Sequence, residues 1–213
     1  MFNKGEYAPK RDSEYAESGG NPADEVIPFI TDPEAPSIMT APDAISEKYR
    51  HPFTYFKPAF GLILLREQIL GKDRFDYAFK NYINKWAYKH PQPDDFFRSM
   101  ENGAGEDLSW FWRGWFYNNY KLDIALINAK YTDKDHKAVQ LTIANKEAMA
   151  MPFTLELKYK DGSKERIYFP VETWLQNKVT TYTKAVAQQV ESVTVDPDNA
   201  LPDLNRKNNL KKL

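Results

Sequence analysis

The feature that most constrains this chain is a change in the period of its apolar residues, from about 3.6 before Lys121 to 2 after it. Before that point the apolar residues recur at helical spacing. Tyr55, Ala59, Leu62, Leu65 and Ile69 form one row, broadened by Phe56, Phe60 and Ile63, which predicts a mostly buried helix ending at Gly71. Phe75, Phe79, Tyr82, Ile83 and Trp86 predict a second helix, with Asp73 as its N-cap. Beyond Pro91 and Pro93 come a short helix burying Phe96, Phe97 and Met100, with Asp94 or Asp95 as cap, and a fourth helix with Leu108, Phe111, Trp112, Trp115 and Phe116 on one face, capped by Asp107. Short turns between these elements imply a compact helical layer.

After Lys121, Val139, Leu141 and Ile143 alternate with polar neighbours, as do Phe153, Leu155, Leu157 and Tyr159. Asp161-Gly162 supplies a tight turn, and Ile167 and Phe169 continue on the return strand. With Leu122 to Tyr131, Val179 to Thr183 and Val190 to Val195, six or seven strands are expected, the pattern of a small antiparallel sandwich. The fold class is therefore α+β. The boundaries are 1-121 for a mostly helical part, of which 1-50 is Pro- and Gly-rich and expected to be irregular, 122-200 for the sandwich, and 201-213 for a polar, frayed tail.

Composition narrows the functions open to such a chain. Its 29 basic and 30 acidic residues leave a net charge of -1, so no long-range field would gather nucleic acid or an anionic membrane. No stretch approaches the roughly 20 apolar residues of a membrane span, and the residues after Met1 lack the apolar core of a signal peptide, so export would need a signal further upstream. The absence of cysteine excludes disulfides and thiolate ligands and leaves the compartment open.

The chemistry-bearing residues are sparse. His51, His90 and His136 are widely separated and no HExxH occurs, so no metal or other cofactor site is expected in this chain. His51 and His90 precede prolines, which places them at bends, and His136 falls in a polar loop tip. The pairs Asp94-Asp95 and Glu106-Asp107 read as helix caps before acid-base pairs. Trp110 to Trp115 could stack on sugars, but the helical spacing of Trp112 and Trp115 with Leu108 favours a core face.

One combination is more specific. Tyr55-Phe56-Lys57-Pro58 opens an apolar helix, Phe75 to Trp86 follows, then Pro93-Asp94-Asp95-Phe96-Phe97, then Gly105-Glu106-Asp107-Leu108-Ser109-Trp110-Phe111. In order and spacing this resembles the region that gluzincin zinc aminopeptidases, the family of aminopeptidase N and the leukotriene hydrolase, carry after their zinc ligands. The family's Tyr-x-Lys-Gly motif corresponds to Tyr55 to Pro58, with proline in place of glycine. Proline is tolerated in a first turn, so the helix should begin at about Lys57 with Tyr55 at its mouth.

The resemblance covers about residues 45 to 195 and implies the C-terminal side of a thermolysin-like catalytic domain followed by a β-sandwich. It implies zinc and a peptide substrate for a full-length parent, but HExxH, the second Glu ligand and the amine-binding Gly-x-Met-Glu-Asn are absent here. Only Tyr55 inherits a role, donating a hydrogen bond to the oxyanion of the reaction. The chain alone is expected to be inactive. The helical part is expected to expose an apolar face toward its partner, the upstream half of the catalytic domain. The alternative is a non-catalytic module of the same ancestry that binds protein or glycan.

Overall fold

The structure, a computed structural model, describes residues 21–213. It is α+β, a helical layer followed by two antiparallel sheets. Of the segment expected to be irregular, the first twenty residues lie outside the described ones, and the rest is more regular than expected. Helix α1 (Pro22–Thr31) is capped by Asn21, whose side chain accepts from the Ala23 amide at 3.0 Å. Pro22 is compatible with this short helix because a first-turn proline loses no helical hydrogen bond. The legible signal was Ala23, Val26 and Ile30, spaced for one face and all buried.

A continuous helical ribbon then runs from Glu47 to Ile69. It comprises α2 (Glu47–His51), a π-helical turn (Pro52–Phe56), α3 (Lys57–Leu64) and a second π turn (Leu65–Ile69). The α-helix begins at Lys57, as expected, but the chain before it is already helical, so Tyr55 lies inside the ribbon. Pro58 brings no amide hydrogen and its ring would press on the carbonyl four residues back; a wider turn, closed by Lys57 N–H on the Pro52 carbonyl, relieves both. His51 is correspondingly helical (φ −66°, ψ −50°) and not at a bend.

The ribbon also departs from the expected burial. Its inner face is Phe53, Phe60, Leu64 and Leu65, all at most 2% exposed. Of the predicted row only Leu65 is buried; Tyr55 and Ala59 are exposed, and Leu62 and Ile69 are half-buried.

Gly71, at φ +79°, turns the chain into α4 (Lys72–Trp86), so Asp73 sits in the first turn and not at the cap. Phe75 and Ala78 are buried, whereas Ile83 is half-exposed. Helix α5 (Pro93–Ala104) is capped by Gln92, with Asp95 accepting the Gln92 amide at 2.9 Å, and ends at left-handed Gly105. Gly103 does not end this helix but lies within it, where an added Cβ would fall 2.7 Å from Ala78 Cα. Asp107 accepts the Ser109 amide (2.8 Å) at the start of α6 (Ser109–Phe111), which runs into a third π turn (Trp112–Tyr117).

The strands are β1 (Ile124–Tyr131), β2 (Ala138–Asn145), β3 (Phe153–Tyr159), β4 (Lys164–Phe169), β5 (Val179–Ala185), β6 (Val190–Val195) and β7 (Leu210–Lys212). Their order is β1-β2-β5 in one sheet and β4-β3-β6-β7 in the other. Val139, Leu141 and Ile143 from one sheet and Leu155, Leu157, Val193 and Val195 from the other are buried, as alternation requires.

The C-terminal residues are not a frayed tail. β7 pairs with β6, Leu213 N–H donates to the Glu191 carbonyl at 3.1 Å, and buried Asp203 accepts the Ile124 and Asn205 amides at 3.0 and 2.8 Å. Most of these residues are polar, so no regular apolar period announced them; their order comes from backbone pairing, the buried Asp203 carboxylate and the packing of Leu201, Leu204 and Leu213 on the core.

Candidate functional site

Tyr55 stands on the outward side of the first π turn, 63% exposed. Its ring lies 5.1 Å from the His51 ring, and its phenol hydrogen-bonds to no described residue. Ala59 and Leu62 continue the row at helical spacing, so this side of the ribbon presents a strip of exposed and half-buried apolar side chains led by a free phenol.

Two residues further on, Lys57 points the other way. It is 2% exposed. Its ammonium nitrogen donates to Asn119 Oδ1 at 2.8 Å and reaches the Asn118 carbonyl at 3.4 Å, between the rings of Phe53 (5.1 Å) and Trp115 (5.4 Å). Burial among these groups, with no carboxylate paired to it among the described residues, lowers its pKa to about 7. Asn119 in turn donates to the Ile30 carbonyl (3.2 Å), so the contact joins α1, the ribbon and the link into the sandwich.

The ribbon is held here by its backbone as well. Trp115 Nε1 donates to the Lys57 carbonyl at 3.0 Å. That approach is possible because residue 61 is glycine: a Cβ there would lie 2.5 Å from Trp115 Nε1. Gly114 plays a like part on the other side, lying where a Cβ would strike Met149 of the sandwich. Sequence reasoning passed over Lys57, Gly61 and Asn119, because a lysine reads as a solvated charge unless the fold is known to enclose it.

The remaining candidates separate. His51, His90 and His136 are not brought together, and no group of three His, Cys, Asp or Glu able to hold a metal occurs among the described residues. His136, at a loop tip with φ +56°, stacks on Tyr131 with ring centroids 4.1 Å apart. Asp94 accepts from the Tyr117 hydroxyl at 2.8 Å and Glu106 pairs with Arg74 at 2.7 Å, so both serve the packing of the helical layer. Trp112 and Trp115 are core, with Trp112 Nε1 bonded to Glu101 at 3.0 Å.

Zinc should accordingly be lost from this chain on dialysis, because a retained ion needs three or four convergent ligands. Metal analysis after exhaustive dialysis checks this; stoichiometric zinc abolished by a histidine substitution would contradict it.

No protein-family model matches the chain, and no curated protein sequence matches it. Among solved structures it is similar to the crystal structure of Legionella pneumophila aminopeptidase A in complex with aspartic acid, with a TM-score of 0.51 and 15% sequence identity. The likeness covers 71% of this chain but 17% of that one. At this identity it is a likeness of fold: the chain shares its architecture with a part of a peptidase.

Proposed function

We propose that this chain is the part of a zinc-dependent aminopeptidase of the gluzincin type that follows the metal ligands, and that it hydrolyses N-terminal peptide bonds only when joined to the upstream half of the catalytic domain. The observation that carries the reading is Tyr55: an exposed phenol on a π turn, unengaged by any described residue and heading an apolar strip on the side of the ribbon that the described residues leave open. π turns interrupt a helix at some cost in packing and are frequent at functional sites. The architecture shared with part of an aminopeptidase supports the same reading. The helical part, to about Lys121, is then the end of the catalytic domain, and the sandwich a domain that follows it.

In the complete enzyme, zinc held by the upstream ligands would polarise the scissile carbonyl. Tyr55 would donate its phenolic hydrogen to the oxygen on which negative charge develops, and Lys57, fixed from beneath, would hold the turn that aims it. A hydroxyl acting this way stabilises the transition state more than the bound substrate.

The test is turnover of an aminoacyl chromogenic substrate in the presence of zinc. This chain alone should be silent, and a full-length protein containing the upstream ligands active. Tyr55→Phe in that protein should lower kcat about a hundredfold, a loss of about 3 kcal/mol, with KM and melting temperature little changed. An unchanged kcat would remove Tyr55 from catalysis. If no upstream HExxH accompanies this chain, the binding-module reading takes its place.

A further inference from the structure

We propose that the outer edge of β5 pairs with the same edge of a second copy of this chain, joining two three-stranded sheets into one across a two-fold axis. The proposal concerns the sandwich and does not depend on the role given to Tyr55. β5 is an edge strand, paired with β2 alone over seven residues with no break in register. The Asn145 amide on the Lys178 carbonyl and the Val186 amide on the Lys137 carbonyl, both at 2.8 Å, frame that pairing at its two ends. Groups alternate along an antiparallel strand, so Thr180, Tyr182 and Lys184 turn their amides and carbonyls toward β2, and Val179, Thr181, Thr183 and Ala185 turn theirs away. No described residue bonds to these outward groups.

An open row of this kind is a template for another strand, and sheet edges ordinarily carry a device that prevents it. The other edges of the two sheets do. β1 is bulged between Leu126 and Asn128 and has the turn at Arg206–Asn208 packed on it. β4 carries Lys164, Glu165 and Arg166, and β7 is three residues long with Lys211 and Lys212 among them. β5 has no proline, no bulge and a single charge, Lys184, whose ammonium lies 2.7 Å from Glu165. The strand is also complementary to itself. With two copies antiparallel about Tyr182, Val179 faces Ala185 and Thr181 faces Thr183 of the second copy, so every outward amide and carbonyl finds a partner. Lys184 then lies opposite Thr180 and not opposite another lysine, while threonine pairs and aromatic pairs are favourable cross-strand neighbours. Val179, 53% exposed, gains cover from Ala185. An isologous contact of this kind closes at two copies.

Sedimentation velocity of the whole chain at rising concentration tests this. A monomer–dimer equilibrium with a Kd on the order of 50 µM is expected, the range of a small and mostly polar contact. Thr183→Pro removes an amide that makes no bond within the chain, so it should weaken dimerisation about tenfold or more and leave the melting curve unchanged. Thr181→Lys combined with Thr183→Lys places like charges opposite each other and should give a monomer, as should Thr181→Glu combined with Thr183→Glu. Mixing these two variants should restore the dimer, because each lysine then faces a glutamate. Absence of dimer at about 500 µM, about ten times that Kd, would overturn the proposal. Dimers that persist in Thr183→Pro and in both charged variants would place the contact on another surface and overturn it as well. Charged variants that stay monomeric when mixed would overturn the two-fold register, and with it the second copy as the occupant of this edge.

Discussion

Between about pH 6 and about pH 9.5 the chain should gain stability that a Lys57→Met variant does not gain. The Lys57 amine has its pKa lowered by burial to about 7 in the folded chain, while in the unfolded chain it returns to the ordinary lysine value of 10.5. Between those two values the unfolded chain holds a proton that the folded chain has released. Folding therefore becomes more favourable as pH rises through the window. Below about 7 both states are charged and the whole desolvation cost is borne by the fold.

A difference of this size corresponds to roughly 3 to 5 kcal/mol across the full window, and most of it lies below pH 9.5. For a domain of this length that is on the order of 10 °C in melting temperature. The variant is the proper reference because Tyr159, whose pKa burial pushes up to about 12, adds its own pH dependence near pH 10 in both proteins. Urea unfolding of the two proteins at several pH values gives the result directly. Parallel curves would mean that Asn119 and the two aromatic rings hold the charged amine as well as water does.

Gly61→Ala should destabilise the chain by on the order of 3 kcal/mol, although alanine is the better helix former by about 1 kcal/mol. The sign decides between local and tertiary control. If α3 were limited by its own propensity, the substitution would raise the urea midpoint. In the packed structure the new methyl would sit 2.5 Å from Trp115 Nε1, so the indole must withdraw and its bond to the Lys57 carbonyl must break. A buried N–H then loses its partner and the ribbon loses its tie to the third π turn. In a Trp115→Phe background much of this cost should vanish, because the atoms that clash are the indole's own. Additive effects of the two substitutions would show that the crowding lies elsewhere.

Much of the fold was legible because burial on one side of an element imposes a period on its sequence. Strands β2 and β3 follow from Val139, Leu141 and Ile143 and from Phe153, Leu155 and Leu157, and the turn between β3 and β4 from Asp161-Gly162, where Gly162 takes φ +88°. Helix α5, and α6 with the π turn that follows it, follow from Phe97, Met100, Phe111 and Trp115 in the same way. The helix from Lys57 was legible too, but not which of its sides faces inward. Apolar residues occupy nearly the whole circumference of Phe53 to Ile69, and a row that is apolar all round cannot report its own orientation.

The sequence by itself determined the order of the parts, helices before strands, and the alternation that builds β2 and β3. Only the tertiary structure decided that the polar C-terminal residues close the second sheet, that π turns accommodate the prolines of the ribbon, and that Lys57 is enclosed while Tyr55 is left open. The reason is physical. Periodicity records how a segment divides between water and core, whereas the fate of a single lysine depends on which distant groups, here Trp115 and Asn119, arrive to surround it.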